Sequence, residues 1–344
     1  MIKEWNLLRA VTCLCIVFLH STTQTASIVS YPEIEYYQFF RILLCFATPT
    51  FIVLSVIILA NRYSEKLPSN FWGSRFKFIF LPFLSFALID ALVVSYSTNT
   101  GTYFAVKLLK NIMTGSFEGW FILVIFQFYF LHFLVTKYKV SMAWLVPASI
   151  LIMLWYLNWM ESNPDIFLDF NYILKLPFLA WVGYFALGYI IGKNYTVISQ
   201  KLFKHRWATL LYIGVSFSLV FLSYEAGNTL VYSRRFDLFP FVLSVTCALI
   251  AWGQAIPNFK VVKILNDNAF GIFLVHWQVQ VFLAPITANY FQHTSTRVVA
   301  LFMFSLLISL IVIKLISLLP FGEYIVGKTK KKAQNDIKLE PITT

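Results

Sequence analysis

About ten apolar runs, each long enough to cross a lipid bilayer, follow one another along this chain of 344 residues. A helix needs roughly 17 to 25 apolar residues to span the hydrocarbon core. Because 59% of the residues are hydrophobic and only 12% are charged, lipid is the solvent that suits the chain. We therefore predict an all-α, polytopic transmembrane bundle of about ten helices. The runs are Leu7–Ser21, Phe39–Ala60, Phe76–Tyr96, Trp120–Thr136, Met142–Trp159, Leu176–Gly192, Trp207–Tyr224, Phe239–Ile256, Ala269–Thr287 and Val298–Leu319.

The basic residues predict the orientation of this bundle. With a cytoplasmic N-terminus, eighteen Lys and Arg fall in cytoplasmic segments and six in external ones, so that both termini are expected in the cytoplasm. The same rule accounts for the net charge of +12 without a nucleic-acid partner. We expect residues 1–326 to form the membrane domain, and residues 327–344 to form a polar, lysine-rich cytoplasmic tail.

Two costly polar residues mark the first run as a candidate functional helix. Arg9 and His20 are eleven residues apart, a spacing that returns to nearly the same helix face, at an axial separation of roughly 16 Å. Ionisable residues inside a membrane are functional candidates by default. The structural alternatives are an Arg9 that snorkels to the inner interface and a His20 that meets the lipid headgroups.

Other polar residues give weaker signals. Arg75 and Lys77 open the third run, where two cations can meet phosphates or can simply flank a span on its cytoplasmic side. His276 shares a helix face with Gln280, whereas Gln278 points away from that face. Asp90 is an intramembrane charge without an assignable partner, and His132 is expected to be solvated. Cys13, Cys15, Cys45 and Cys247 lie in apolar runs without metal-ligand spacing, so that no metal is expected.

Five segments in order resemble the acyltransferase 3 family of bacterial membrane enzymes. They are Leu8-Arg9-Ala10 through His20, Ser74-Arg75-Phe76-Lys77 through Pro82, Gly119-Trp120-Phe121 with Gln127-Phe128-Tyr129, Leu187-Gly188-Tyr189 through Gly192, and Ile272-Phe273-Leu274-Val275-His276. The Arg75 and Trp120 segments are similar in particular to members from exopolysaccharide adhesin operons. Many members carry a second Arg at the position of Phe78, where Lys77 is the available substitute.

The resemblance implies a multi-pass enzyme of the bacterial cell membrane. It would move an acetyl or succinyl group from acyl-CoA to a hydroxyl of an envelope glycan or exopolysaccharide. His20 is the expected base with Arg9 beside it, and Arg75 and Lys77 are expected to bind acyl-CoA. We also expect Trp120 and His276 to contact substrate. The alternative is an exporter of polysaccharide or lipid-linked sugar, although no paired helix breaks typical of transporters are found.

Overall fold

The computed structural model of the protein describes residues 2–98, 102–257 and 259–328. Within these ranges the fold is all-helical, as predicted. The helices are α1 Lys3–Val29, α2 Tyr37–Leu44, α3 Ala47–Arg62, α4 Phe71–Arg75, α5 Leu81–Thr98, α6 Thr102–Thr114, α7 Trp120–Lys137, α8 Met142–Glu161, α9 Pro164–Leu174, α10 Val182–Lys193, α11 Tyr195–Lys204, α12 Arg206–Glu225, α13 Leu238–Gly253, α14 Lys260–Tyr290, α15 Thr294–Ser317 and α16 Glu323–Val326. A π-helical turn, Phe76–Phe80, joins α4 to α5. Of the predicted tail, only Gly327 and Lys328 are described, and residues 329–344 lie outside these ranges.

Every predicted apolar run coincides with helix, but two of these helices are shorter than expected. Eight described helices are long and apolar enough to cross a membrane, with α2–α3 and α4–α5 each acting as one continuous span. Helix α13 has 16 residues and α10 has 12. The run that begins at Leu176 starts its regular helix only at Val182, because Pro177 and the 3₁₀ turn Phe178–Ala180 precede it.

Helix α1 is central to the bundle. It packs mainly against α14, and also against α3, α13 and α15. Its contact faces carry small residues such as Ala10, Thr12 and Ser21, all nearly inaccessible, which let neighbouring helices approach closely. Gln280 of α14 donates to the Val17 carbonyl and to Ser21 Oγ, both at 2.9 Å. This packing fixes the relative position of the two helices that carry His20 and His276.

Two glycines one helical turn apart bring α10 against α3. A Cβ added at Gly188 would lie 2.8 Å from the Val53 carbonyl oxygen, and one at Gly192 would lie 2.5 Å from that of Ile57. Any side chain at either position would therefore force the helices apart. This close approach gives a physical reason for the Gly-x-x-x-Gly spacing of the Leu187–Gly192 segment.

The prediction that His132 is solvated is wrong. His132 is fully buried on α7, and its Nε2 lies 3.0 Å from the carbonyl oxygen of Tyr63. The carbonyl is 69 residues away in sequence, so no local pattern could reveal it.

Candidate active site

The histidines of α1 and α14 contact each other directly. His20 Nδ1 lies 2.9 Å from His276 Nε2, and the two ring planes are inclined by 18°. His276 Nδ1 lies 2.9 Å from the carbonyl oxygen of Ile272. Because a carbonyl only accepts, His276 Nδ1 carries a proton, and the Nε2 of the neutral ring accepts from His20 Nδ1–H. His20 Nε2 is then unprotonated, which is the state that a general base requires.

Glu118 lies beside this unprotonated nitrogen. His20 Nε2 is 4.0 Å from Glu118 Oε2, and the same oxygen accepts a 3.3 Å hydrogen bond from Trp120 Nε1. Glu118 has a φ of 70°, a left-handed conformation uncommon outside glycine and found where the surrounding structure imposes it. Glu118 was not predicted from the sequence. Its one available signal was its position directly before the Gly119-Trp120 segment.

The loop that carries Glu118 is anchored to a buried polar cluster, which we call the Asp90 cluster. Ser116 Oγ donates to Asn111 Oδ1 at 2.6 Å, and Asn111 Nδ2 donates to Asp90 Oδ2 at 2.8 Å. Lys107 Nζ pairs with Asp90 Oδ2 at 2.9 Å, and Gln278 Nε2 donates to its Oδ1 at 2.8 Å. Asp90 thus has a partner that the sequence could not assign. No group of three His, Cys, Asp or Glu among the described residues is arranged to hold a metal ion.

A cavity of about 250 Å³ adjoins His20, and we call it the His20 pocket. Trp120 forms part of its wall, where its ring stacks on Trp181 with centroids 5.3 Å apart and an interplanar angle of 24°. Lys175 Nζ lies 5.1 Å from the centre of the Trp120 ring. Broad aromatic walls with a few convergent polar groups are typical of small-molecule sites. Other lining residues include Thr23, Arg41, Thr48, Glu118, Tyr232, Arg234 and Trp277.

A second cavity of about 330 Å³ lies at the Arg9 end of α1, and we call it the Arg9 pocket. Arg9 Nη1 donates to Asn266 Oδ1 of α14 at 3.0 Å. Buried cations are costly without a counter-charge. The acidic Asp267 lies in the same wall and partly balances the positive charge of this pocket. Lining residues also include Arg75, Tyr129 and Lys328.

Arg75 lines the Arg9 pocket and is oriented to bind an anion there. Its guanidinium carbon lies 4.9 Å from the ring centre of Phe71 and 5.4 Å from that of Tyr129. Its Nε is buried and has no hydrogen-bond partner among the described residues, so this donor is available to an anion. Lys77 is exposed and does not line the pocket. Side chains two positions apart on a helix point in directions that differ by about 200°, so Lys77 faces away from Arg75.

The two pockets adjoin each other along α1. Thr48 of α3 contributes to the lining of both. Arg9 and His20, which sequence spacing placed on one helix face, line the Arg9 pocket and the His20 pocket respectively. Helix α1 and Thr48 therefore connect the walls of the two pockets.

Comparison with known proteins identifies the family to which the chain belongs. The acyltransferase domain family matches residues 2–314 of the chain. The chain is 32% identical over 294 residues to the "Putative membrane-bound acyltransferase YfiQ" of Bacillus subtilis, covering 80% of each protein. It is also 27% identical over 292 residues to a "Probable poly-beta-1,6-N-acetyl-D-glucosamine export protein" of Staphylococcus epidermidis, covering 78% of each. The protein of the same name from Staphylococcus aureus strain MRSA252 is 25% identical over 286 residues, covering 78% of this chain and 79% of the relative. No solved structure matches the chain.

Proposed function

Since the chain belongs to the acyltransferase domain family, and is therefore a multi-pass membrane acyltransferase, we propose a specific reaction for it. It transfers an acetyl or succinyl group from acyl-CoA to a hydroxyl of a cell-envelope glycan or exopolysaccharide. The observation that carries this proposal is the hydrogen-bonded pair of His20 and His276, with His20 Nε2 unprotonated beside the His20 pocket.

The pair supplies a base that is already oriented. His20 Nε2 takes the proton of the acceptor hydroxyl as the oxygen attacks the thioester carbonyl. The tetrahedral intermediate then expels the thiolate of coenzyme A, which receives that proton from His20. Glu118, 4.0 Å away, stabilises the transient imidazolium, and His276 keeps the ring in place throughout. A positioned general base contributes about 10²–10⁴-fold to the rate.

The donor enters from the cytoplasm through the Arg9 pocket. The excess of Lys and Arg in the segments on that side supports this orientation, with both termini cytoplasmic. Arg75 holds the phosphates, and Arg9 lies deeper, bonded to Asn266. The acceptor glycan then meets His20 from the opposite face of the membrane. Trp120 forms an aromatic wall against which its sugar ring packs.

The second candidate function is glycan export, which the printed names of the two staphylococcal relatives favour. An exporter needs a route wide enough for a polysaccharide and alternating access to both faces. The two cavities of the bundle, about 330 and 250 Å³, instead suit a thioester arm and one or two sugar units. The contact between two intramembrane histidines has an evident use in acyl transfer and none that is evident in export.

His20→Ala separates the two functions. As an acyltransferase, the variant should export normal amounts of glycan that lacks acyl esters, measured by surface glycan and ester content at matched protein level. The control is His205→Ala, because His205 is an exposed histidine that lines neither pocket. Reduced surface glycan with unchanged ester content would instead identify an exporter.

A further inference from the structure

The His20 pocket carries an excess of positive charge. Besides His20, the described residues that line it include one lysine and two arginines, Lys175, Arg41 and Arg234, whereas Glu118 is the one acid among them. Buried charges are expensive unless they are paired. A pocket for a neutral sugar needs hydroxyl, amide and aromatic groups rather than several cations. Arg41 and Lys175, for which the described ranges hold no ion pair, therefore point to an anionic ligand.

Arg41 shows that this charge is built into the fold. It is 6% exposed, and its guanidinium is held by neutral groups of α1 and α2. Nε donates to Thr22 Oγ1 at 2.9 Å, Nη2 to Thr23 Oγ1 at 3.1 Å and Nη1 to Gln38 Oε1 at 2.7 Å. No carboxylate in the described ranges lies within ion-pair distance of it. These bonds orient the group but leave its charge uncompensated.

Lys175 is held over the pocket by a fixed loop. Its carbonyl accepts a hydrogen bond from Trp181 Nε1 at 2.9 Å. The side chain of Gln127 donates to the Leu176 carbonyl and accepts from the Phe178 N–H, which holds the following residues of the loop. Its ammonium group lies against the Trp120 ring and forms no ion pair within the described part of the chain. Burial lowers the pKa of Lys175, and the neighbouring Arg234 lowers it further, whereas Glu118 opposes the shift. An anion in the pocket would oppose this shift and stabilise the charged ammonium group.

We propose that the His20 pocket contains a subsite for an anionic group, a phosphate or carboxylate, which lies against Arg41, Lys175 and Arg234 while His20 acts on the neighbouring hydroxyl. The inference rests on the proposed function and narrows its substrate class. Two sources share this chemistry. An acceptor glycan carries the anion close to the hydroxyl that is acylated, or a dicarboxylic acyl group carries it at the end remote from the thioester.

The test compares probes that differ by one charged group. Purified full-length protein is titrated, without donor, with a neutral N-acetylglucosamine trisaccharide and with the same trisaccharide bearing a 1-phosphate. Wild type should bind the phosphorylated probe about tenfold more tightly, the gain expected from one charge-assisted contact. Lys175→Gln and Arg41→Gln should remove this preference, and Lys175→Arg should retain it. Lys110→Gln is the matched control, because Lys110 is an exposed lysine outside the pocket.

A second arm identifies the source of the anion. With the neutral trisaccharide as acceptor, kcat/KM for succinyl-CoA is compared with that for acetyl-CoA in the same variants. A preference for succinyl-CoA that disappears in Lys175→Gln assigns the subsite to the donor, and a preference for the phosphorylated trisaccharide assigns it to the acceptor.

Two results would overturn the subsite. One is the lack of any charge preference in wild type in both arms. The other is an equal fall of kcat for neutral and charged probes in Lys175→Gln, which would show that the cations act on the charge of the reaction itself. Because the binding arm needs no turnover, absence of acyl transfer with intact charge-selective binding would reject the proposed function and leave the subsite standing.

Discussion

His20 and His276 form a hydrogen-bonded relay across the α1–α14 interface, with His20 Nδ1 and His276 Nε2 2.9 Å apart. The relay ends at a backbone carbonyl, that of Ile272, which cannot change its hydrogen-bonding role. The direction of both hydrogen bonds is therefore fixed by the fold. Within this relay we assign contact with substrate to His20, and His276 is a positioning residue.

Replacing His276 should separate orientation from binding. His276→Leu removes the acceptor for His20 Nδ1–H, and we expect kcat to fall by about 10²-fold while KM for both substrates stays near its wild-type value. His276→Gln offers an amide oxygen as acceptor and should recover part of this loss. Steady-state kinetics on purified protein measures both. A rise in KM with unchanged kcat would show that His276 binds substrate and does not orient the base.

The contribution of the third span to donor binding should come mainly from Arg75. We expect Arg75→Gln to raise KM for acyl-CoA by about tenfold, since a charge-assisted hydrogen bond contributes roughly 1.5–3 kcal/mol. Lys77→Gln, the matched control, should change KM little, because Lys77 is exposed and lies outside the Arg9 pocket. Equal effects of the two variants would contradict the assignment of the pocket to the phosphates.

The orientation of the bundle can be tested by cysteine labelling in intact cells. Ser162→Cys, between α8 and α9, should react with a membrane-impermeant maleimide from outside. His205→Cys, between α11 and α12, should react only after lysis. Both positions are exposed, and the native cysteines are buried or half-buried, which keeps background labelling low. Labelling of His205→Cys in intact cells would reverse the orientation and place Arg75 on the wrong side for cytoplasmic acyl-CoA.

What the sequence could predict follows from the range of the interactions involved. Hydropathy is a property of contiguous residues, so the spans were predictable, and helical spacing placed Arg9 and His20 on one face. The partner of His20 was beyond such reasoning, because His276 is 256 residues away. Glu118 depends on a left-handed backbone and an anchored loop, and Arg41 contributes charge to a pocket assembled from several helices. None of these relationships leaves a periodic pattern.

The close approach of α10 to α3 predicts an asymmetry between glycines. Gly192→Ala should destabilise the protein by about 1–3 kcal/mol, the usual effect of overpacking, because the new Cβ would lie 2.5 Å from the Ile57 carbonyl oxygen. Gly214→Ala on α12 is the control, since no heavy atom lies within 4 Å of the Cβ position there. Thermal unfolding in detergent compares them. Equal melting temperatures for the two variants would rule out tight α3–α10 packing.

The Asp90 cluster should reveal itself through a double substitution. Lys107→Met alone leaves the Asp90 carboxylate, with a side chain only 4% exposed, without its cation, and breaking a buried pair in this way costs about 3–5 kcal/mol. Asp90→Asn combined with Lys107→Met removes both charges, so that most of the stability should return. Activity should recover less completely, because the new amide would replace one acceptor with a donor and shift Asn111, through which Ser116 anchors the Glu118 loop. Melting temperature and kcat measured on the same samples distinguish the two effects.

If the single and double variants melt at the same temperature, Lys107 does not neutralise Asp90. If kcat follows stability in every variant, the cluster has no separate role in positioning Glu118.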